Sequence, residues 1–114
     1  MAQRGKLEVA GASMDVIKEL QNWFQSQCDG EWEHQHGVTI ESCDNPGWWV
    51  KIDLRGTRFL EKPFPVVMKN YHVGNLNPQP PWMHCDVKDG IFHGAGDPDM
   101  LAEIIGIFLQ WTAS

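Results

Sequence analysis

No apolar run in the 114-residue chain approaches the roughly 20 residues of a membrane-crossing helix. The N-terminus also lacks the apolar core of a signal peptide. Together these absences predict a cytoplasmic protein with no membrane partner. Lysine and arginine are missing from residues 19–50, a stretch that holds Glu19, Asp29, Glu31, Glu33, Glu41 and Asp44. Phosphate contacts need a basic footprint, so this gap argues against nucleic acid as a ligand. It favours a partner that is basic at the contact surface, the plainer reading being a solvated acidic face. The three cysteines, Cys28, Cys43 and Cys85, form no C-x-x-C pair, and any disulfide scheme leaves one of them over. Reduced thiols fit that arithmetic. Nucleotide-binding glycine loops, the G-x-S-x-G elbow and the H-E-x-x-H zinc motif are all lacking, so no cofactor and no catalytic centre are expected.

What is present fits a single domain, long enough to bury roughly two thirds of its unfolded surface. Fifteen acidic residues against nine lysines and arginines give a net charge of −6. Residues 1–13 show no persuasive period and read as a leader or a disordered terminus, which leaves 14–114 as the domain. Ser13 is a plausible N-cap for a first helix. Val16, Ile17, Leu20, Trp23, Phe24 and Gln27 repeat at three and four residues, the mark of an amphipathic helix, which ends near Asp29-Gly30.

Residues 28–54 are the densest stretch. They read as two β-strands joined by the turn Asp44-Asn45-Pro46-Gly47. Trp32, His34, His36, Val38 and Ile40 share one parity, as do Trp48, Val50, Ile52 and Leu54, so each set lies on one face of a sheet. If both apolar sets share a face, Ile40 pairs with Val50 and Val38 with Ile52, because a one-residue slip would send every apolar side chain to water. Glu41 then faces Trp49, and Thr39 faces Lys51, on the side away from the core. A bulge at Gly37 would flip the parity of residues 31–36.

Beyond Leu54, residues 59–68 suggest a third strand that Pro63 and Pro65 confine to a sheet edge or a bulge. Residues 69–81 form a long loop, a hint of binding. Trp82 to Lys88 reads as a strand, and Asp89-Gly90 is a strong hairpin signal that pairs Val87 with Phe92 and Asp86 with His93. Asp97-Pro98 opens the last helix as N-cap and first residue, with Leu101, Ile104, Ile105, Phe108, Leu109 and Trp111 as its buried stripe. Gly106, costly inside a helix, suggests close packing at that point. The predicted fold is α+β: an antiparallel five-stranded meander sheet with N- and C-terminal helices packed on one face.

Two chemical constellations compete with a binding role. His34 and His36 project to one side of a strand, as a metal pair would, with Cys28, Cys43, His84 and His93 as conceivable further ligands, none at motif spacing. Half-buried histidines at the sheet rim are the plainer reading. Cys28 beside His34 suggests a nucleophile, but a helix C-terminus raises a thiol pKa when activation needs it lowered. Glu31 and Glu33 read better as solvated charges than as an acid–base pair. Six tryptophans remain. Trp23, Trp48 and Trp111 have core parity, whereas Trp49 and Trp82 point outward beside charge, as interface anchors do.

With these residues in hand, the chain resembles the immunity protein 53 family of bacterial polymorphic-toxin systems. The likeness is carried by Trp23-Phe24, Cys28-Asp29-Gly30-x-Trp32-Glu33-His34, Gly37-Val38-x-Ile40, Asp44-Asn45-Pro46-Gly47-Trp48 and Ile52-Asp53-Leu54-x-Gly56-Thr57. Phe64, the Trp82 to Val87 strand, Gly94-x-Gly96-Asp97-Pro98 and Phe108-Leu109-x-Trp111 continue it, over nearly all of residues 14–111. The resemblance implies a small cytoplasmic, non-enzymatic antitoxin that binds and neutralises a cognate toxin protein. Residues 69–81 fit the family pattern least. The expected contact residues are Trp49 and Trp82 as anchors, with Glu31, Glu33, Glu41 and Asp44 facing a basic toxin surface. The alternative is a small thiol- or metal-dependent, sulfurtransferase-like enzyme centred on Cys28, His34 and His36, although no active-site cysteine loop supports it.

Overall fold

A computed structural model describes the backbone of residues 8–72, 74 and 77–114, with side chains from residue 15 onward. Helix α1 spans Glu8–Gln27. It begins upstream of Ser13, which therefore lies inside the helix and does not cap it. Of the supposed leader, residues 1–7 lie outside the described residues. Leu20 and Trp23 are buried as the periodicity requires, while Ile17, at the margin of the stripe, is 44% exposed. The chain leaves the helix through Gly30, whose φ of +95° suits a residue without a Cβ.

Residues 32–35 depart from the expected strand and form one helical turn, α2 (Trp32–Gln35). Short polar side chains compete here with strand pairing for the backbone. The Asp29 carboxylate accepts from the Glu31 and Trp32 amides, both at 2.9 Å. The Glu33 carboxylate reaches back to the amides of Asp29 (3.0 Å) and Gly30 (2.9 Å). The turn drives Trp32 inward, where its indole N–H donates to the Arg55 carbonyl at 2.9 Å and its ring meets Trp23 edge-on at 6.1 Å.

Strands β1 (Val38–Cys43) and β2 (Gly47–Asp53) pair in the register that period two dictates, Val38 with Ile52, Ile40 with Val50 and Glu41 with Trp49. Strands β4 (Met83–Lys88) and β5 (Ile91–Gly96) close at Asp89-Gly90, where φ values of +55° and +77° match a two-residue hairpin turn. Val87 pairs with Phe92 and Asp86 with His93, as expected. The short strand β3 (Val67–Lys69) lies at the far edge.

The five-stranded antiparallel sheet and the α+β class agree with the sequence reading, but the simple meander does not. The strand order is β1-β2-β5-β4-β3, with β5 inserted beside β2. Residues 54–66 carry the chain away beneath the C-terminal helix, α3 (Leu101–Ala113). Phe59 is buried on the way, the Trp111 indole donates to the Pro63 carbonyl at 2.8 Å, and Lys62 Nζ donates to the Trp111 carbonyl at 2.7 Å. A segment flanked by Pro63 and Pro65 cannot serve as a central strand. β5, with Gly94 and Gly96 on its inner side, lets α3 approach the middle of the sheet.

Ile104, Ile105 and Phe108 of α3 are fully buried against Val50, Ile52, Met83, Cys85 and Phe92. Each such side chain contributes about 1.5–3 kcal/mol. α1 packs on α3, with the Trp23 and Phe108 rings edge-to-face at 4.9 Å. Two expectations about α3 fail. Asp97 does not cap the helix, which starts four residues later. Its buried carboxylate ties the Trp82 and Asp99 amides, both at 2.8 Å, so the chain turns before the helix begins. Nor is Gly106 closely packed, since a Cβ there would meet nothing within 4 Å. No helix among the described residues is long and apolar enough to cross a membrane.

Candidate functional site

α3 lies on the sheet face of Val50, Ile52 and Phe92, and α1 packs on α3. Strand alternation therefore sends the odd-numbered side chains of β1, β2 and β5, and the even-numbered ones of β4 and β3, to the opposite face. Register puts Glu41, Trp49, Ala95, His84 and Met68 in one row across all five strands. Thr39, Lys51, His93 and Asp86 form the next.

Ala95 stands between two larger neighbours in the first row, and its single methyl leaves a notch. A cavity of 330 Å³ lies there, lined by Trp49, Val50, Lys51, His84, His93, Gly94 and Ala95. A second hollow of 200 Å³ shares Trp49, His84 and Ala95 and runs on to Asn45, Pro46, Tyr71, Asn77, Pro78 and Trp82. The two form one groove. Tyr71 stacks on Trp82 at 5.8 Å and 26° and stands 5.0 Å from the His84 ring. Trp82 is held at its backbone by Asp97. Asn70, at φ +51°, donates from its side-chain amide to the Pro81 carbonyl at 2.9 Å, tying the two ends of the loop together. Val73, Asn75 and Leu76 of that loop lie outside the described residues.

Trp49 dominates the groove and is 47% exposed. Of the other five tryptophans, Trp23, Trp32 and Trp111 are buried, Trp48 donates its indole N–H to the Pro98 carbonyl at 2.9 Å, and Trp82 stacks on Tyr71. Glu41 lies directly across from Trp49, and Asp44 sits in the turn at the same end of the hairpin; both are exposed. Four of the expected contact residues, Trp49, Trp82, Glu41 and Asp44, thus lie around one groove end. Glu31 and Glu33 do not join them. They stand with α2, before the opposite end of β1, and the Glu33 carboxylate is occupied by the Asp29 and Gly30 amides; hydrogen bonding to its own backbone amide foremost, then to those two, lowers its pKa. The polar groups around the groove are mixed: acids at the β1–β2 rim, with Lys51 and the His84 and His93 imidazoles along the floor.

Tyr71 and Ala95 had no signal in the sequence pattern. Tyr71 belongs to a loop whose position depends on the strand order, and Ala95 matters only through its neighbours across the sheet.

The alternative chemical centre is not assembled. The Cys28 thiol donates to the Phe24 carbonyl at 3.3 Å, and burial, with Glu33 and Asp29 nearby, raises its pKa; a thiolate nucleophile needs the reverse. His34 is exposed on α2. His36 Nδ1 is 2.9 Å from an Asp53 carboxylate oxygen, and the same carboxylate receives two bonds from the Arg55 guanidinium, at 3.0 and 2.8 Å. Arg55 foremost, then His36, holds Asp53 at about 2, well below the usual carboxylate range. Among the described residues no group of three His, Cys, Asp or Glu side chains stands close enough to hold a metal ion.

Neither a search of curated proteins nor one of solved structures returns a match. A scan against family models does. The matched residues, 17–113, run from within α1 to the last residue of α3 and so include every strand, the groove and the Trp49 hairpin; the model they match is that of immunity protein 53, and the chain belongs to that family.

Proposed function

We propose that the protein is the immunity partner of a toxin in a polymorphic-toxin system, and that it acts by binding, without catalysis. The groove centred on Trp49 and Trp82 receives the toxin, and Glu41 and Asp44 at its rim meet basic residues there. Because the toxin is made in the same cell, neutralisation takes place in that cell's cytoplasm.

One observation carries this reading. α3, with α1 packed on it, covers one sheet face, and on the opposite face Trp49 stands 47% exposed over an open groove. Large aromatics in that setting are the usual anchors of protein interfaces. Acids at the rim speed encounter with a basic surface. Glu31 and Glu33, beyond the other end of β1, extend the same sign of charge and act at longer range.

The test is recovery of the partner on two columns, one carrying the full chain and the other its Trp49→Ala variant, from lysate of the source strain. A toxin domain retained by the first, released by salt and lost from the second, is the expected result. Equal retention on both columns would place the contact elsewhere.

A further inference from the structure

The two edges of the sheet are built differently. β3, at one edge, is three residues long, follows Pro63 and Pro65, and carries Lys69. Those are the usual devices that stop an edge strand from pairing. β1, at the other edge, has six residues and neither proline nor lysine.

The Asp53 amide donates to the Gly37 carbonyl at 3.0 Å, which marks those two as a hydrogen-bonded position of the ladder. Alternation along an antiparallel ladder extends this to Thr39 with Lys51 and Glu41 with Trp49. Val38, Ile40 and Ser42 therefore turn their N–H and C=O groups outward. Among the described residues no backbone group meets them. The side chains at this edge are unfinished too. Ile40 pairs with fully buried Val50 on the helix-covered face yet is 39% exposed, because no strand among the described residues lies beyond it.

We propose that β1 is the docking edge for an extended segment of the toxin. The segment adds as a further strand, its alternate residues apolar toward Ile40 and lysine or arginine toward Glu41. This rests on the toxin-binding reading above and supplies its geometry. Charge selects the occupant. Residues 19–50 contain no lysine or arginine, Glu41 lies in the strand and Asp44 in the adjoining turn. A second copy would set that acidic edge against itself, between two chains each carrying −6. A basic strand would be attracted, and it would also extend the row that runs from Glu41 to Trp49.

The experiment titrates the isotope-labelled full chain with a short peptide of alternating valine and lysine, followed by nuclear magnetic resonance. Two further peptides carry N-methyl groups on alternate backbone nitrogens, one for each phase. The expected result is amide shifts centred on Val38, Ile40 and Ser42, with one methylation phase weakening binding about tenfold or more and the other leaving it intact. Ile40→Pro removes an N–H that β2 does not use and abolishes binding; Glu41→Lys weakens it and reverses its salt dependence. If Ile40→Pro fails to fold, the methylated peptides decide the matter on the unaltered protein. Shifts centred elsewhere, no shift at millimolar peptide, or equal effects of both phases would overturn the proposal. So would a dimer in sedimentation that Ile40→Pro dissolves, since it gives the edge to a second copy. A toxin captured equally by the wild type and by folded Ile40→Pro would sink the edge alone, whereas loss of toxin only with Trp49→Ala would leave the groove reading standing.

Discussion

Gly94→Ala tests whether α3 covers the sheet as described. Gly94 lies on the inner side of β5, and a Cβ there would overlap Ile104 Cγ2 and stand 3.2 Å from Phe92 Cε2. Both neighbours are fully buried, so neither has solvent to move into. Overpacking of this kind costs about 1–3 kcal/mol. The alanine recovers about 0.4–1 kcal/mol by restricting the unfolded chain. The net loss centres on about 1.3 kcal/mol, a fall in the urea midpoint on the order of 1 M, with the slope unchanged. Fluorescence of the buried Trp23 and Trp111 reports the transition. Gly37→Ala is the control: its Cβ meets nothing within 4 Å, and the change should stay within about 0.5 kcal/mol. If Gly94→Ala matched the wild type, α3 would not rest on β5, and the argument that the opposite face is the free one would fail with it.

Gly106→Ala should raise stability by about 0.5–1 kcal/mol in the same assay, because the helix gains propensity and the methyl meets nothing. Asp53 titrates low in the folded chain, at about 2 against 3.8, so its contribution is complete above pH 4 and disappears as pH falls toward 2. With solvent screening on the Arg55 side, Asp53→Asn should cost about 1 kcal/mol at pH 7, and the difference should close as the solution is acidified; a constant difference would contradict the pairing. Burial pushes the Cys85 thiol up to about 12. Only about one molecule in ten thousand would carry its thiolate at pH 8, so iodoacetamide should label Cys85 only after unfolding, as read by mass spectrometry.

The two hairpins were legible in the sequence because their signals are local and leave one solution. Period two permits a single register for Val38 to Leu54, and Asp89-Gly90 supplies a turn whose geometry few other residue pairs accept. Residues 31–36 read as strand from the pattern because Trp32, His34 and His36 satisfy period two equally well. The Asp29 and Glu33 carboxylates, bonding to nearby amides, decide the contest for helix, and hydrophobic pattern carries no record of such bonds. Strand order was hidden for a different reason. It depends on how residues 54–66 pass beneath α3, a tertiary matter resting on Pro63, Lys62 and Trp111. The groove inherits that limit. Trp49, Trp82 and Glu41 could be found by parity, but Tyr71 and Ala95 reach them only through the order of the strands.

The most direct measurement is the kinetics of the complex between this chain and the toxin it captures, with Trp49→Ala set beside Glu41→Ala and Asp44→Ala. Trp49 is the anchor in this account, so its loss should speed dissociation tenfold or more, about 1.4 kcal/mol at least, with little change in association. The acidic variants should slow association and flatten its dependence on salt. A Trp49→Ala chain that folds as the wild type does and releases the toxin no faster would contradict the account at its centre.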